Sequence, residues 1–228
     1  FACTMNNVKI LLMCFVGYII LLSDLPFFDT KHMYEVIRSR KSELMAVRVI
    51  YIIKMTILYL IVLFLIFSLI SGSSDFNLFK WDKFRFSSAR GIEIDNITLE
   101  SSKEIVLNYA PISAFMTSIT LLFLVFSSFG FMLLFFSMLL PVKKGVISFI
   151  CVWSGMDMAI DEMGLGYRLY IASPLSYTRL EILGANAGNL YFPSKVRILL
   201  MLILLFFGFM FLCIFFPIKR RLNRLDVK

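Results

Sequence analysis

Few side chains in this sequence have the types and spacing that chemistry requires. The one histidine, His32, stands three residues before Glu35, so a helix would place both on one face. A zinc site needs three or four converging ligands, and the sequence contains no H-E-x-x-H pattern. We therefore interpret these two residues as part of a solvated helix surface rather than as a metal site.

Two further kinds of site are disfavoured by the sequence. It contains no G-x-x-x-x-G-K-[ST] loop, the pattern whose backbone amides hold nucleotide phosphates, so ATP hydrolysis by that mechanism is excluded. Cys3, Cys14, Cys151 and Cys213 lie mostly within apolar segments without paired spacing, which predicts neither a disulfide framework nor a zinc site. We expect no cofactor in this chain and no enzymatic activity of its own.

Three acidic residues, Asp157, Asp161 and Glu162, follow an uninterrupted apolar run. Acids at membrane depth are costly, and they count as candidates for function. Asp157 and Asp161 are four residues apart and would share a helix face, where like charges repel. Two interpretations stay open: the helix emerges at the outer surface near Asp157, or the acids form a proton relay or cation site. The second needs a basic or aqueous partner, which the sequence does not name.

The composition predicts an all-α polytopic membrane protein. Hydrophobic residues make up 60% of the sequence, against about 45–50% in soluble domains. Five apolar segments approach or exceed the ~20 residues that cross a bilayer, at residues 8–25, 49–70, 109–140, 146–163 and 196–217. The net charge of +8 comes from basic residues between and after these segments, without a continuous basic patch that would suggest nucleic acid.

The distribution of charge predicts the topology. Basic residues concentrate in 31–54, at 143–144 and in 219–224, and such segments stay on the cytoplasmic side. The charges of 71–108 nearly cancel, as expected of an extracellular insertion, and alternating residues there suggest a β-hairpin. We thus divide the chain into 1–70 with two spans, the insertion 71–108, and 109–228 with three spans and a cytoplasmic C-terminus. Its aromatic, broken stretch at about 164–195 suits half-inserted outer helices.

A short amphipathic helix is predicted at about 29–41, between the first two spans. Asp29 or Thr30 can cap it, and Met33, Tyr34 and Ile37 then fall on one apolar face. From these residues alone, the helix is either part of a solvated interfacial loop or a docking surface for a cytoplasmic partner.

Several stretches resemble permease subunits of the type-two exporter class of ATP-binding-cassette transporters. These stretches are Asp24-Leu-Pro26-Phe-Phe-Asp29, Tyr34-Glu-Val-Ile37-Arg38-Ser39-Arg40, Asn108-Tyr-Ala-Pro111-Ile-Ser-Ala-Phe115 and Ser173-Pro174-Leu-Ser176. The resemblance implies that the helix at 29–41 is a coupling helix seated in a groove of a separate ATPase. The residues that it assigns to coupling are Tyr34, Glu35, Ile37, Arg38 and Arg40. It also implies re-entrant outer helices at about 164–195 and six spans, with one span and an amphipathic helix preceding Phe1.

The function implied by this resemblance is that of a permease subunit in a bacterial-type cell membrane. ATP and Mg would be bound by the partner ATPase, and a second permease copy or a paralogue would complete the pathway. Apolar spans rich in Phe and Met favour an amphipathic or hydrophobic cargo, such as a peptide, lipid or drug. Two alternatives remain: a non-transporting assembly, immunity or sensor subunit that recruits a cytoplasmic partner, and a gradient-driven carrier that uses Asp157 and Asp161.

Overall fold

The described part of the chain is helical. The computed structural model describes residues 5, 7–23, 41–70, 105–106, 109–139, 143–163, 169–170, 173, 175–180 and 195–225. Within these ranges it contains a short 3-10 helix, Ser176–Thr178, no strand, and five long α-helices, which are α1 (Val8–Ser23), α2 (Lys41–Ile70), α3 (Pro111–Leu139), α4 (Lys143–Met163) and α5 (Lys195–Leu225). For the described residues, the predicted all-α class and the five long helices are therefore confirmed. The predicted β-hairpin and residues 29–40 of the predicted coupling helix lie outside the described residues.

Local sequence sets where two of these helices begin. Asn7 caps α1, because its Oδ1 accepts hydrogen bonds from the backbone amides of Lys9 at 3.0 Å and Ile10 at 3.5 Å. α3 begins at Pro111, whose missing N–H costs nothing in the first helical turn. Both helix starts therefore have a local cause in the sequence.

Two helices are long and apolar enough to cross a membrane. They are the Ala46–Leu69 part of α2 and the Pro111–Phe136 part of α3, judged by length and composition. Shorter apolar stretches lie in α1 (Val8–Leu22) and α5 (Ile198–Cys213). All four coincide with segments that the sequence analysis selected.

The five helices run in alternating directions. The start of α1 meets the end of α4, where Lys9 Nζ lies 3.5 Å from Glu162 Oε1. α1 and α2 are antiparallel, since Cys14 pairs with Tyr59 and Tyr18 with Thr56. We call the end of the bundle where α1 begins and α4 finishes the Glu162 end.

α3 is the central helix and contacts the other four. Of its membrane-length window 67% is buried inside the chain, against 28% for that of α2. α2 therefore keeps most of its apolar surface on the outside of the bundle, whereas α3 is surrounded by protein.

An aromatic cluster joins α1 and α3. The ring of Phe15 packs against Phe126 and Phe129, with centroids 5.6 and 4.7 Å apart, and Tyr18 stacks on Phe126 at 5.0 Å. Phe15, Tyr18 and Phe126 are all fully buried. This cluster is the centre of the hydrophobic core.

Gly130 lies at a close contact between α2 and α3. A glycine in so long an apolar segment is a candidate flex point, but α3 runs unbroken from Pro111 to Leu139. A Cβ at position 130 would lie 2.6 Å from Ile52 Cγ2 and 2.9 Å from the Tyr18 hydroxyl. The glycine therefore serves close helix packing, as small residues do between membrane helices.

Candidate functional site

A buried ion pair lies towards the Glu162 end of the bundle. Asp157 Oδ2 of α4 is 3.6 Å from Arg179 Nη1, and the two side chains are 1% and 9% exposed. Asp157 stands six residues before the end of α4, which corresponds to about 9 Å along the helix axis. This acid therefore lies within the bundle rather than on its rim.

Arg179 is positioned by a compact stretch between α4 and α5. We call residues 169–180 the Arg179 segment, of which 169–170, 173 and 175–180 are described. It contains the 3-10 helix, and this helix contacts α3. Six of its described residues are buried: Ser173, Leu175, Ser176, Thr178, Arg179 and Leu180.

Hydroxyl groups hold the Arg179 segment in shape. The Ser176 hydroxyl donates to the backbone carbonyls of Tyr170 and Ser173, the latter at 2.6 Å, and Thr178 donates to Leu175 O at 2.7 Å. Backbone bonds run from Thr178 N to Leu175 O and from Arg179 N to Ser176 O, at 3.0 and 3.1 Å. Short side chains that bond to nearby backbone are typical of such turns.

Tyr170 and Tyr177 lie in the same segment as Arg179. The guanidinium carbon of Arg179 lies 5.7 Å from the centroid of the Tyr170 ring, within the range of a cation–π contact. Tyr177 is half-buried beside the core, and burial raises the pKa of its phenol above the usual value.

At this site the positive charge of Arg179 balances the negative charge of Asp157. The described residues contain no group of three His, Cys, Asp or Glu side chains that could hold a metal ion. Burying one charge alone is costly, and an opposite charge in contact offsets part of that cost. The arrangement therefore suits a structural or switchable contact between α4 and the Arg179 segment.

The structure separates the residues that the sequence analysis grouped together. Asp157 is fully buried, whereas Glu162 is exposed and pairs with Lys9 at the rim. Asp161 lies in α4, and its side chain is not described. The predicted coupling residues, Tyr34, Glu35, Ile37, Arg38 and Arg40, lie outside the described residues.

Arg179 is the functional candidate that the sequence reasoning missed. A proton relay or cation site at Asp157 requires a basic or aqueous partner that the sequence does not name, and the structure places a basic residue beside it, twenty-two residues along the chain. A signal was present in the sequence: Arg168 and Arg179 both stand among Tyr, Ser and Thr residues in the stretch that was predicted to form half-inserted outer helices. Arg179 reaches the buried Asp157 because its segment packs into the bundle.

A second polar contact ties α1 to α2. The Tyr18 and Thr56 hydroxyl oxygens are 2.7 Å apart, and Thr56 donates its proton to Ile52 O at 2.8 Å, so Tyr18 is the donor in the pair. One turn away, the Tyr59 hydroxyl donates to the backbone carbonyl of Cys14. These bonds fix the register of the two helices.

We expect Tyr18→Phe to lower the free energy of unfolding by only about 0.6 kcal/mol, the average for hydrogen bonds between membrane helices. The reason is that Thr56 keeps its bond to Ile52 when the phenol hydroxyl is removed. Unfolding by SDS titration in mixed micelles measures the change. Tyr51→Phe is the matched control, because Tyr51 is exposed on the same helix pair; equal losses in both variants would contradict the assignment.

No family model, curated protein or solved structure matches this chain. The resemblance to exporter permeases therefore depends on the sequence stretches quoted above.

Proposed function

We propose that this chain is a multi-pass membrane permease subunit of an ATP-binding-cassette exporter. The observation that carries the proposal is the continuity of α2. This helix begins at Lys41, directly after the predicted coupling residues, and continues without a break to Ile70. Its thirty residues correspond to about 45 Å, enough to run from the membrane surface through the bilayer.

The outer surface of the bundle supports membrane insertion. α2 exposes a nearly continuous apolar face, which includes Ile50, Ile57, Leu58, Ile61, Leu65 and Leu69. α5 exposes Leu200, Leu204, Phe207 and Phe211. Large exposed apolar surfaces mark contact with lipid or with another protein. Lipid and a second permease copy or paralogue would together cover these faces.

The contacts between α2 and its neighbours support the coupling mechanism. The Tyr18–Thr56 bond ties α1 to α2, and the close approach of Ile52 to Gly130 ties α2 to α3. Packed helices shift as rigid bodies rather than deforming. A partner ATPase that binds ATP and Mg would push on the predicted helix at 29–41, and the three helices would move together.

The remaining features of the proposal follow from the sequence. The C-terminus, with Lys219, Arg220 and Arg221, would lie in the cytoplasm of a bacterial-type cell. The cargo would be amphipathic or hydrophobic, such as a peptide, a lipid or a drug. Residues 71–108 would form the extracellular insertion.

Recovery of the ATPase subunit with the full-length protein tests this function. We expect the wild-type protein purified in detergent to carry an ATP-hydrolysing subunit, and both Ile37→Asp and Arg38→Glu to lose it. The first change would put a charge into an apolar groove, and the second would reverse a charge that fixes orientation. The measurements are the bound subunit and its ATP turnover.

Arg90→Glu is the matched control for the coupling variants. It makes the same charge reversal within 71–108, which would lie on the opposite side of the membrane in the predicted topology, so the ATPase should be retained. If no ATPase accompanies the wild-type protein, the exporter function is wrong. A subunit that recruits another cytoplasmic partner then takes its place.

A further inference from the structure

We propose that Lys54 and the apolar surface beside it bind an anionic phospholipid, with the lipid phosphate at the Lys54 ammonium group and the acyl chains along α2. The lipid would belong to the leaflet at the end of the membrane-spanning part where α2 begins. This inference rests on the membrane insertion proposed above, but it depends neither on the ATPase nor on transport.

Lys54 lies on the outer surface of the bundle. Its side chain is exposed, and in a helix the residues three and four positions away are its neighbours on that surface. All four of these neighbours are exposed as well: Ile50, Tyr51, Ile57 and Leu58. Lys54 therefore places a positive charge on a face that is otherwise apolar apart from the Tyr51 hydroxyl.

The described helices supply no anion for this charge. Lys54 forms no ion pair with any acidic residue that the structure describes. The helices α1, α3 and α5 pack against α2, and neither their apolar stretches nor that of α2 contain Asp or Glu: Val8–Leu22, Pro111–Phe136, Ile198–Cys213 and Ala46–Leu69. A second copy that met this face through the same stretches would bring no acid either. An anion that pairs with Lys54 at this depth thus belongs to a different kind of molecule.

The depth of Lys54 fits a lipid headgroup. It lies eight residues after Ala46, where the apolar window of α2 begins, which corresponds to about 12 Å along the axis. Side chains of a helix tilt toward its N-terminus, so the four-carbon stem of Lys54 is directed back toward the membrane surface. Tyr51 lies one turn closer to that surface, and tyrosine is enriched at the level of the headgroups. The ammonium group can therefore reach a lipid phosphate.

The surface beyond Lys54 fits acyl chains. Leu58, Ile61 and Leu65 follow at intervals of three or four residues and are all exposed, and α2 carries no further charge up to Ile70. A lipid whose phosphate is held at Lys54 can lay its chains along these side chains toward the bilayer centre. Phosphatidylglycerol has such chains and a net negative charge, whereas the choline of phosphatidylcholine neutralises the phosphate. Basic residues near the membrane surface attract lipids of the first kind.

Native mass spectrometry of the purified full-length protein measures this binding. The protein in detergent is titrated with phosphatidylglycerol, with phosphatidylcholine, and with glycerol phosphate, which offers the phosphate without acyl chains. We expect the wild-type protein to bind phosphatidylglycerol more tightly than phosphatidylcholine. Lys54→Gln should weaken the binding of phosphatidylglycerol about fivefold, the effect of one basic residue at an anionic membrane surface. Its binding of phosphatidylcholine should not change, and glycerol phosphate should bind to neither protein.

Two variants separate the position of the charge from the net charge of the protein. Lys54→Arg keeps the positive charge on α2, and it should retain the preference for phosphatidylglycerol. Lys9→Gln removes one positive charge at the start of α1, where Glu162 already neutralises the ammonium group, and it should leave lipid binding unchanged. Lys9 and Lys54 are both exposed, so these changes leave the packing of the bundle intact.

Four results would overturn the proposal. The first is equal binding of the two lipids by the wild-type protein, and the second is an equal effect of Lys9→Gln and Lys54→Gln. The third is binding of glycerol phosphate as tight as that of the lipid. The fourth is a wild-type dimer that Lys54→Gln dissociates without a change in lipid binding, which would assign this face to a protein partner.

Failure of the proposed function gives a different result. A protein that does not insert into membranes would bind neither lipid, which would contradict both proposals. Absence of an ATPase subunit would leave the preference for phosphatidylglycerol and its dependence on Lys54 unchanged.

Discussion

Phe126→Ala is expected to lower the free energy of unfolding by about 3–5 kcal/mol, the usual cost of truncating a buried phenylalanine. Phe126 is fully buried and its ring contacts those of Phe15, Tyr18 and Tyr59. The truncation would leave a cavity in the middle of α3, where three helices meet and cannot collapse independently. SDS titration in mixed micelles measures the loss, and Trp153 supplies a fluorescent reporter beside Phe129.

Phe207→Ala is the matched control for this prediction. Phe207 is 55% exposed on α5, and among the described residues its ring contacts that of Phe206. The same truncation there removes little buried volume, so its cost should be well below that of Phe126→Ala. Equal costs would mean that the aromatic cluster of α1 and α3 is not the centre of the core.

Gly130→Ala is expected to lower the free energy of unfolding by about 1–3 kcal/mol through overpacking. Helix propensity alone predicts the opposite sign, because alanine favours a helix over glycine by about 1 kcal/mol. The added methyl group would press on Ile52 Cγ2, which is close to the backbone of α2, and on a Tyr18 hydroxyl held by Thr56. Neither neighbour can retreat cheaply, so α2 must move away from α3.

Gly208→Ala is the control for the sign of the change in the free energy of unfolding. A Cβ at position 208 meets no atom within 4 Å, so the change should be neutral or stabilising. The same titration measures both variants. If Gly130→Ala also proved neutral or stabilising, the close approach of α2 to α3 at this glycine would be disproved.

The sequence by itself determined the helices of this chain. Apolar runs of membrane length, interrupted by charged or Gly- and Pro-containing stretches, are a local property, and all five predicted spans overlap the long helices of the structure. The starts of α1 after Asn7 and of α3 at Pro111 have local causes, because capping depends on neighbours only a few residues away, although the sequence analysis began the third span at residue 109.

The sequence could not determine which helix is central. α1, α2 and α3 are apolar around most of their circumference, so periodicity selects no buried face. The structure places α3 in the middle and leaves α2 peripheral, and it shows that Gly130 allows close packing of α2 on α3. Such roles depend on which helices become neighbours.

Only the tertiary structure decided the partner of Asp157. From the sequence, this acid could be an exposed residue at a helix end or a buried group in need of a partner. The choice depends on how the Arg179 segment folds back, because an electrostatic contact forms between residues that are close in space, not in sequence. Hydrogen bonds from the Ser176 and Thr178 hydroxyls to nearby backbone carbonyls hold the segment in a turn. This turn places the Arg179 guanidinium beside the Asp157 carboxylate.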